Sequence, residues 1–386
     1  MTDTSVCATQ DQHYMAEAIK LAYKGLYTTD PNPRVGCVIV NNEQSNEGRV
    51  VGRGWHVKAG EGHAEVNALR DAGSLAEDAT AYVTLEPCSH TGKTPPCADA
   101  LIKAKVKRVV AAMQDPNPLV AGNGFQKLRD AGIEVEFGVL QAEAEAINPG
   151  FIKRMRSGYP LVRVKLAMSV DGRTAMASGE SQWITGGAAR QDVQRLRARS
   201  SVIVTGSGTV NYDNPSLTVR SEEAGLAEQQ PLRVVVDSDG DIALDSKLLQ
   251  LPGKTIIAMA SNKALDESEL KLDRVEFKSF PSSAGFVANG RVDLKLLLSW
   301  LASQGCNEVL VEAGATLAGA FVSQELVDEL WVYMAPKLLG SKARPLLGLP
   351  FDTMAQQIPL SVTDIRVIGD DIRLIYQLES SLRPRG

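Results

Sequence analysis

The chain has 386 residues, long enough for two ordinary domains, and its 44% hydrophobic and 5% aromatic content is that of soluble α/β proteins. A net charge of −5 argues against a surface built for a polyanion such as duplex nucleic acid or tRNA. No apolar run approaches the length of about 18 residues that would span a membrane. The amino end, MTDTSVCATQDQHYM, does not read as a signal peptide, and five cysteines, an odd number, fit a reducing cytoplasm better than a disulfide framework.

Residues 11–24 read as an amphipathic helix with Met15, Ala18, Ile19 and Ala22 on one side and Gly25 as its stop. The loop at 30–36, stiffened by Pro31 and Pro33, leads into Cys37-Val38-Ile39-Val40, a buried strand with Cys37 in the core. Asn32 stands at that strand's entrance, where its amide can read a base edge, although a loop Asn is ordinarily a turn residue. After a polar turn, residues 50–56 form the partner strand of a hairpin ending in Trp55 and His56. A glycine-rich loop then delivers His63 to the start of a helix that runs to Gly73. Residues 80–85 are the next strand, Cys88 follows it, and Cys97 opens a second helix at 98–104.

His63, Cys88 and Cys97 supply the three ligands a catalytic zinc uses, with a fourth position left for water. Glu65, two residues after the histidine and in the same helical turn, is not needed as a ligand and can carry a proton between that water and a leaving amine. The bland alternative is a helix-terminus histidine and two small buried hydrophobes. The metal would be pinned between two helix starts at one edge of a sheet. His90 and Lys93 lie between the cysteines. A fourth protein ligand from His90 would close the site, and Lys93 offers a cation to an acidic substrate. A strand at 108–113 leads into Gln114-Asp115-Pro116-Asn117-Pro118, a rigid polar loop at a strand's carboxyl end, where ligands of α/β sheets bind. A helix at 125–131 and a strand at 133–139 complete the first domain, residues 1–150. Residues 148–160, NPGFIKRMRSGYP, read as a basic linker.

The second domain, 151–386, continues as a strand and tight turn at 161–173, a helix at 191–199, a strand at 201–205, a loop at 206–209 and strands at 232–237 and 254–260. A helix at 294–303 precedes a buried strand at 308–312, which runs into Ala313-Gly314-Ala315-Thr316-Leu317-Ala318-Gly319, a run that opens another helix. This is a second open α/β sheet. Its two glycine-bearing strand-to-loop junctions would let backbone approach phosphates, but neither is a Walker motif or a GxGxxG fingerprint.

The H-x-E half, the P-C-x8-C half, and then K-L-A-M-S-V-D-G-R, S-Q-W-I-T, V-x-x-D-N-P and L-V-E-A-G-A-T-L-A-G-A-F together resemble the bifunctional riboflavin biosynthesis deaminase/reductases over nearly the whole chain. The usual signature of zinc nucleobase deaminases is H-x-E with P-C-x-x-C, and the second half is stretched here. The resemblance implies an α/β architecture of a cytidine-deaminase-like N-terminal domain plus a dihydrofolate-reductase-like C-terminal domain. It further implies zinc-dependent hydrolysis of an amino group from 2,5-diamino-6-ribosylamino-4(3H)-pyrimidinone 5′-phosphate, then NADPH reduction of the ribosyl group to ribityl. The zinc ligands fall on His63, Cys88 and Cys97 and the proton shuttle on Glu65. Asn32, His56, Lys93, Asp115 and Asn117 match positions that hold the pyrimidine and its ribose phosphate. In the reductase, Ala167, Ser169, Trp183, Thr209, Asp213, Ser238 and the turn Gly314, Ala315, Thr316, Leu317, Ala318, Gly319 with Ala320 match cofactor positions. Lys165, Ser181, Arg197, Ser216, Arg220 and Glu312 match substrate positions, with Arg197 and Arg220 gripping one sugar phosphate and Lys165 or Glu312 supplying a proton. A cytoplasmic homodimer joined through the reductase domain is implied too, acting on a small-molecule pyrimidine nucleotide, with neither nucleic acid nor membrane as partner.

Two other classes share parts of this pattern. A tRNA or nucleic-acid base deaminase would share the zinc half but needs a basic groove and no dinucleotide site. A non-enzymatic zinc scaffold would lose its fold, and no activity, on metal removal.

Overall fold

The computed structural model describes residues 3–41, 48–90, 95–118, 120–221, 223, 229–260, 274–282 and 290–378. The chain divides into two compact units, Met1–Gly158 and Tyr159–Gly386.

The first unit runs α1 (Asp3–Ala22), β1 (Gly36–Asn41), β2 (Arg49–Trp55), α2 (Ala64–Ala72), β3 (Thr80–Val83), α3 (Cys97–Lys103), β4 (Arg108–Ala111), α4 (Asn123–Asp130), β5 (Glu134–Phe137), α5 (Gln141–Ile147) and α6 (Pro149–Ser157). The sheet order is β2-β1-β3-β4-β5. The unbroken apolar run of β1 is buried almost end to end, as a strand covered on both faces must be. It pairs antiparallel with β2 and β3, and β3, β4 and β5 are parallel. Helix α1 packs Met15, Ala18, Ile19 and Ala22 into the core. On β2, Gly52 and Gly54 let α2 approach: a Cβ on Gly54 would stand 2.2 Å from the Ala64 carbonyl oxygen and 2.3 Å from the Ala68 nitrogen.

The segment read as a linker is a helix. Residues 149–157 form α6, with Pro149 in its first turn, where the missing N–H is no loss, and Gly158 ending it in a left-handed conformation. The break between units therefore falls after Gly158 instead of after residue 150.

The second unit comprises β6 (Leu161–Ser169), β7 (Arg173–Ala175), α7 (Gly187–Arg199), β8 (Val202–Gly206), α8 (Ser207–Asp213), β9 (Leu232–Val236), α9 (Lys247–Gln250), β10 (Thr255–Met259), β11 (Val275–Ser279), α10 (Leu294–Ser303), β12 (Glu308–Val311), α11 (Ala315–Ser323), β13 (Glu329–Ala335), β14 (Arg344–Pro345), β15 (Leu360–Ile368) and β16 (Asp371–Leu378). Its large sheet has the order β11-β10-β9-β8-β12-β6-β13-β16-β15. Pairing is parallel from β11 through β13 and antiparallel from β13 to β16 to β15. One face packs Val162, Val164, Val204 and Val311 with Leu297, Leu301 and Phe321 of α10 and α11. The other packs Ile203 and Leu310 with Leu196 of α7. The expected loop at 206–209 is instead the end of β8 and the first turn of α8. Among the described residues, no helix is long and apolar enough to cross a membrane.

Candidate active sites

The first site is assembled by three changes of direction at the carboxyl end of β3 and the adjoining helix starts. His63 is the N-cap of α2 and Glu65 lies in that helix's first turn. Cys88 follows β3, and Cys97 is the first residue of α3. The strand that Cys88 follows, β3, is the middle strand of its sheet. The ligand atoms of His63, Cys88 and Cys97 all lie within 4.8 Å of one another. His63 Nδ1 is 3.6 Å from Cys88 Sγ and 3.3 Å from Cys97 Sγ. Zn–S and Zn–N bonds at a tetrahedral angle put sulfur and nitrogen about 3.6 Å apart, so one imidazole nitrogen and two thiol sulfurs fit that ion. His90 is exposed, and among the described residues the group offers three ligands, of which His90 is not one.

The electrostatics suit a cation. A hydrogen bond from Cys97, then one with His63, draws the Cys88 thiol down to about 4. The same bond with Cys88, with burial, pushes Cys97 up. The Glu65 carboxyl is 3% exposed, and burial, then the Cys88 charge, lifts it to about 7, within reach of proton exchange near neutral pH.

Asn32 and His56 meet beside this cluster. Asn32 Nδ2 is 3.1 Å from His56 Nε2, and His56 Nδ1 is 3.2 Å from the Gly62 carbonyl. With the amide donating to Nε2, the ring keeps its proton on Nδ1 and is neutral, in line with burial pulling its pKa below the ordinary value. The His56 and His63 rings stand edge to face at 5.3 Å. Asp115 and Asn117 lie on the loop after β4, the Asn117 N–H donating to Asp115 Oδ1 at 2.8 Å; burial lifts the Asp115 carboxyl above its ordinary value. Lys93 lies outside the described residues. The sequence reading passed over Glu86, a buried acid at the end of an apolar strand directly before Pro87-Cys88. The signal was a charge where only apolar residues belong.

The second site lies along the carboxyl ends of adjacent parallel strands. Ala167 and Ser169 close β6, Gly314 follows β12, Thr209 is in α8 after β8, and Ser238 follows β9. This row is where open α/β sheets bind ligands. Gly314 donates its N–H to Thr209 Oγ1 at 3.2 Å, tying the two junctions together. Ser181 Oγ donates to Asp213 Oδ1 at 2.8 Å. Ser169 Oγ donates to Asp171 and accepts from the Arg173 N–H. Trp183 is 64% exposed, with the Arg190 guanidinium 4.6 Å from its ring.

The run from Gly314 opens a helix, as expected, and is helix more than turn: Gly314 caps α11 and residues 315–323 are helical. Ala315, Thr316 and Leu317 keep the unbonded N–H groups of a first turn, whereas the Ala318 N–H is bonded to the Gly314 carbonyl. Ala318 lies in the core. A Cβ on Gly319 would stand 2.4 Å from the Gly348 carbonyl oxygen, so Gly319 admits a neighbouring backbone, and Ala320 lies deeper in the helix. Ser238 Oγ accepts from the Val292 N–H at 3.1 Å. Arg197 pairs with Glu312 and donates Nη1 to the Thr218 carbonyl at 3.1 Å. Arg220 has an exposed side chain and Ser216 is buried. Lys165 projects onto the same face, its Nζ 6.0 Å from the Tyr333 ring. Burial lowers its pKa, with Glu312 opposing and Arg197 assisting.

A family model for the cytidine and deoxycytidylate deaminase zinc-binding region matches residues 8–113, and one for the RibD C-terminal domain matches 160–374. The riboflavin biosynthesis protein RibD of Escherichia coli (strain K12) is 50% identical over 375 residues, covering 95% of this chain and 98% of that protein. Its Haemophilus influenzae counterpart is 48% identical over 379 residues, covering 96% and 98%. Among solved structures, Acinetobacter baumannii RibD is similar with a TM-score of 0.87 at 47% identity, over 96% of this chain and 99% of that one. A Thermotoga maritima diaminohydroxyphosphoribosylaminopyrimidine deaminase/5-amino-6-(5-phosphoribosylamino)uracil reductase is similar with a TM-score of 0.82 at 31% identity, over 96% and 99%.

Proposed function

Because this chain belongs to the family of bifunctional riboflavin biosynthesis deaminase/reductases, we propose how its residues divide the two reactions. It is a zinc-dependent deaminase joined to an NADPH-dependent reductase. The first unit removes an amino group from 2,5-diamino-6-ribosylamino-4(3H)-pyrimidinone 5′-phosphate. The second reduces the resulting ribosylaminouracil to 5-amino-6-ribitylamino-uracil 5′-phosphate. The observation that carries the first assignment is the three-ligand cluster of His63, Cys88 and Cys97 with the buried Glu65 beside it.

His63, Cys88 and Cys97 would hold the zinc ion, which would supply a water acidic enough to act as a nucleophile near neutral pH. Glu65 accepts one proton from the attacking water and delivers it to the ring nitrogen, then carries that water's second proton to the amine, which departs as ammonia. Asn32 and neutral His56 orient the pyrimidine, and Asp115, Asn117 and Lys93 hold the ring and its ribose phosphate. In the second unit NADPH supplies hydride. Ala167, Ser169, Trp183, Thr209, Asp213, Ser238 and the first turn of α11 seat the cofactor, while Ser181, Ser216 and Arg220 seat the substrate. Lys165 donates the proton that completes reduction of the sugar carbon, and the Arg197–Glu312 pair keeps its surroundings polar and fixed. The enzyme acts as a cytoplasmic homodimer.

Incubation with the diaminopyrimidinone nucleotide, with and without NADPH, tests this reading when ammonia and nicotinamide absorbance are followed separately. Ammonia release should not require NADPH, and NADPH oxidation should follow it. Oxidation without prior ammonia release would reverse the assigned order.

A further inference from the structure

Glu86 leaves β3 just before Pro87 and Cys88, and it is 4% exposed. Its carboxylate is surrounded by backbone donors. Oε2 accepts from the N–H of Asp115 at 3.1 Å and of Gly122 at 2.9 Å. Oε1 accepts from Gly124 at 2.8 Å and more distantly from Phe125 at 3.4 Å. These donors come from both ends of the loop between β4 and α4 and from the first turn of α4, where N–H groups need partners and negative charge is favoured. The Glu86 N–H is itself bonded to the Met113 carbonyl at 2.9 Å. Helix α4 also lies close against the next residue, since a Cβ on Gly124 would stand 2.0 Å from the Pro87 carbonyl oxygen.

A group meeting only N–H donors must be an acceptor at both ends, which among side chains means a carboxylate. An amide would turn an NH₂ toward two of these N–H groups and leave them unsatisfied in a buried place. We propose that Glu86 is a positioning residue of the deaminase. It ties the loop bearing Asp115 and Asn117 to the strand end bearing Cys88, so that substrate contacts and metal ligands keep one spacing. This rests on the assignment of Asp115 and Asn117 to the substrate made above.

The test uses the full chain loaded with zinc, as Glu86→Gln, Glu86→Asp and, separately, Asn117→Ala. Zinc content, deaminase kcat and KM for the diaminopyrimidinone nucleotide, and reductase turnover are measured for each. In Glu86→Gln, KM should rise roughly tenfold or more, the worth of a charge-assisted hydrogen bond, with kcat little changed and zinc content and reductase turnover intact. Glu86→Asp, which keeps the charge one methylene further back, should show a smaller rise in KM. An unchanged KM in zinc-loaded Glu86→Gln overturns the proposal. So does loss of zinc or of reductase turnover in both variants, since Glu86 would then support the fold at large. Asn117→Ala separates the two readings: if it leaves KM unmoved, the assignment of Asn117 to the substrate fails. If it raises KM while Glu86→Gln does not, the role of Glu86 alone fails.

Discussion

Arg197 and Glu312 meet as two parallel prongs, Nε to Oε1 at 2.6 Å and Nη2 to Oε2 at 2.9 Å, with side chains only 11% and 9% exposed. The pair joins helix α7 to the carboxyl end of β12, directly beside Lys165 in the neighbouring strand. A bidentate guanidinium–carboxylate contact is the form of ion pair that fixes geometry as well as charge. Burial works against the Glu312 carboxylate, but Arg197 and then Lys165 hold its pKa below the ordinary value. Arg197 and Glu312 are thus held in one orientation at the carboxyl end of β12.

Glu312→Gln removes one charge and leaves the Arg197 guanidinium poorly paired in a nearly buried place. Breaking a buried pair from one side costs about 3 kcal/mol, discounted somewhat here for the residual exposure. We expect a lower melting temperature for the reductase transition and a large fall in reductase turnover, with deamination retained. Calorimetry alongside the two separate assays checks this, and unchanged reductase kinetics would remove Glu312 from the site.

Much of this organisation was legible because it rests on local chemistry. Both metal-site halves lie next to helix starts that the sequence marks, and the apolar strands at 37–40 and 308–311 announce themselves by composition. What was missed has a physical reason. Strands β15 and β16 form an antiparallel pair at the sheet edge, where β15 carries Asp364 and Arg366 among its apolar residues and shifts register between Val362 and Asp364. That irregularity breaks the alternation that would have flagged a strand. Helix α6 was hidden by its basic residues and flanking prolines. The Arg197–Glu312 pair joins positions 115 residues apart, a relation no local pattern encodes.

Glu65→Gln keeps the shape of the side chain and removes its capacity to exchange a proton. General acid–base groups contribute about 10²- to 10⁴-fold, so deamination should fall by that order. Zinc content should hold, since Glu65 is not one of the three ligand-bearing residues, and reductase turnover should be unaffected. Metal analysis with ammonia release decides it, and deamination surviving at near wild-type rate would exclude the shuttle.

Lys165 gives a pH signature. Burial lowers its pKa from the usual lysine value, so the charged, proton-donating form is lost as pH rises through a value below about 10.4. Reductase kcat/KM, which reports the free enzyme, should therefore fall on an alkaline limb earlier than an exposed lysine would give. Lys165→Met should abolish most of the rate. A residual rate with the same alkaline limb would assign that limb to another group.

Gly54 reaches the deaminase site without touching it. A methyl there would lie 2.2 Å from the Ala64 carbonyl oxygen and 2.3 Å from the Ala68 nitrogen, both backbone atoms of α2, so relief requires the helix to move away from β2. Overpacking of this kind costs typically about 1–3 kcal/mol. The helix that must shift carries Glu65 in its first turn and has His63 as its cap, so displacement also disturbs the spacing of the imidazole from the two thiols. Gly54→Ala should lower the melting temperature of the first unit and weaken zinc retention against a chelator, with reductase turnover unchanged. Equal zinc retention despite a lowered melting temperature would mean that the metal cluster tolerates movement of α2.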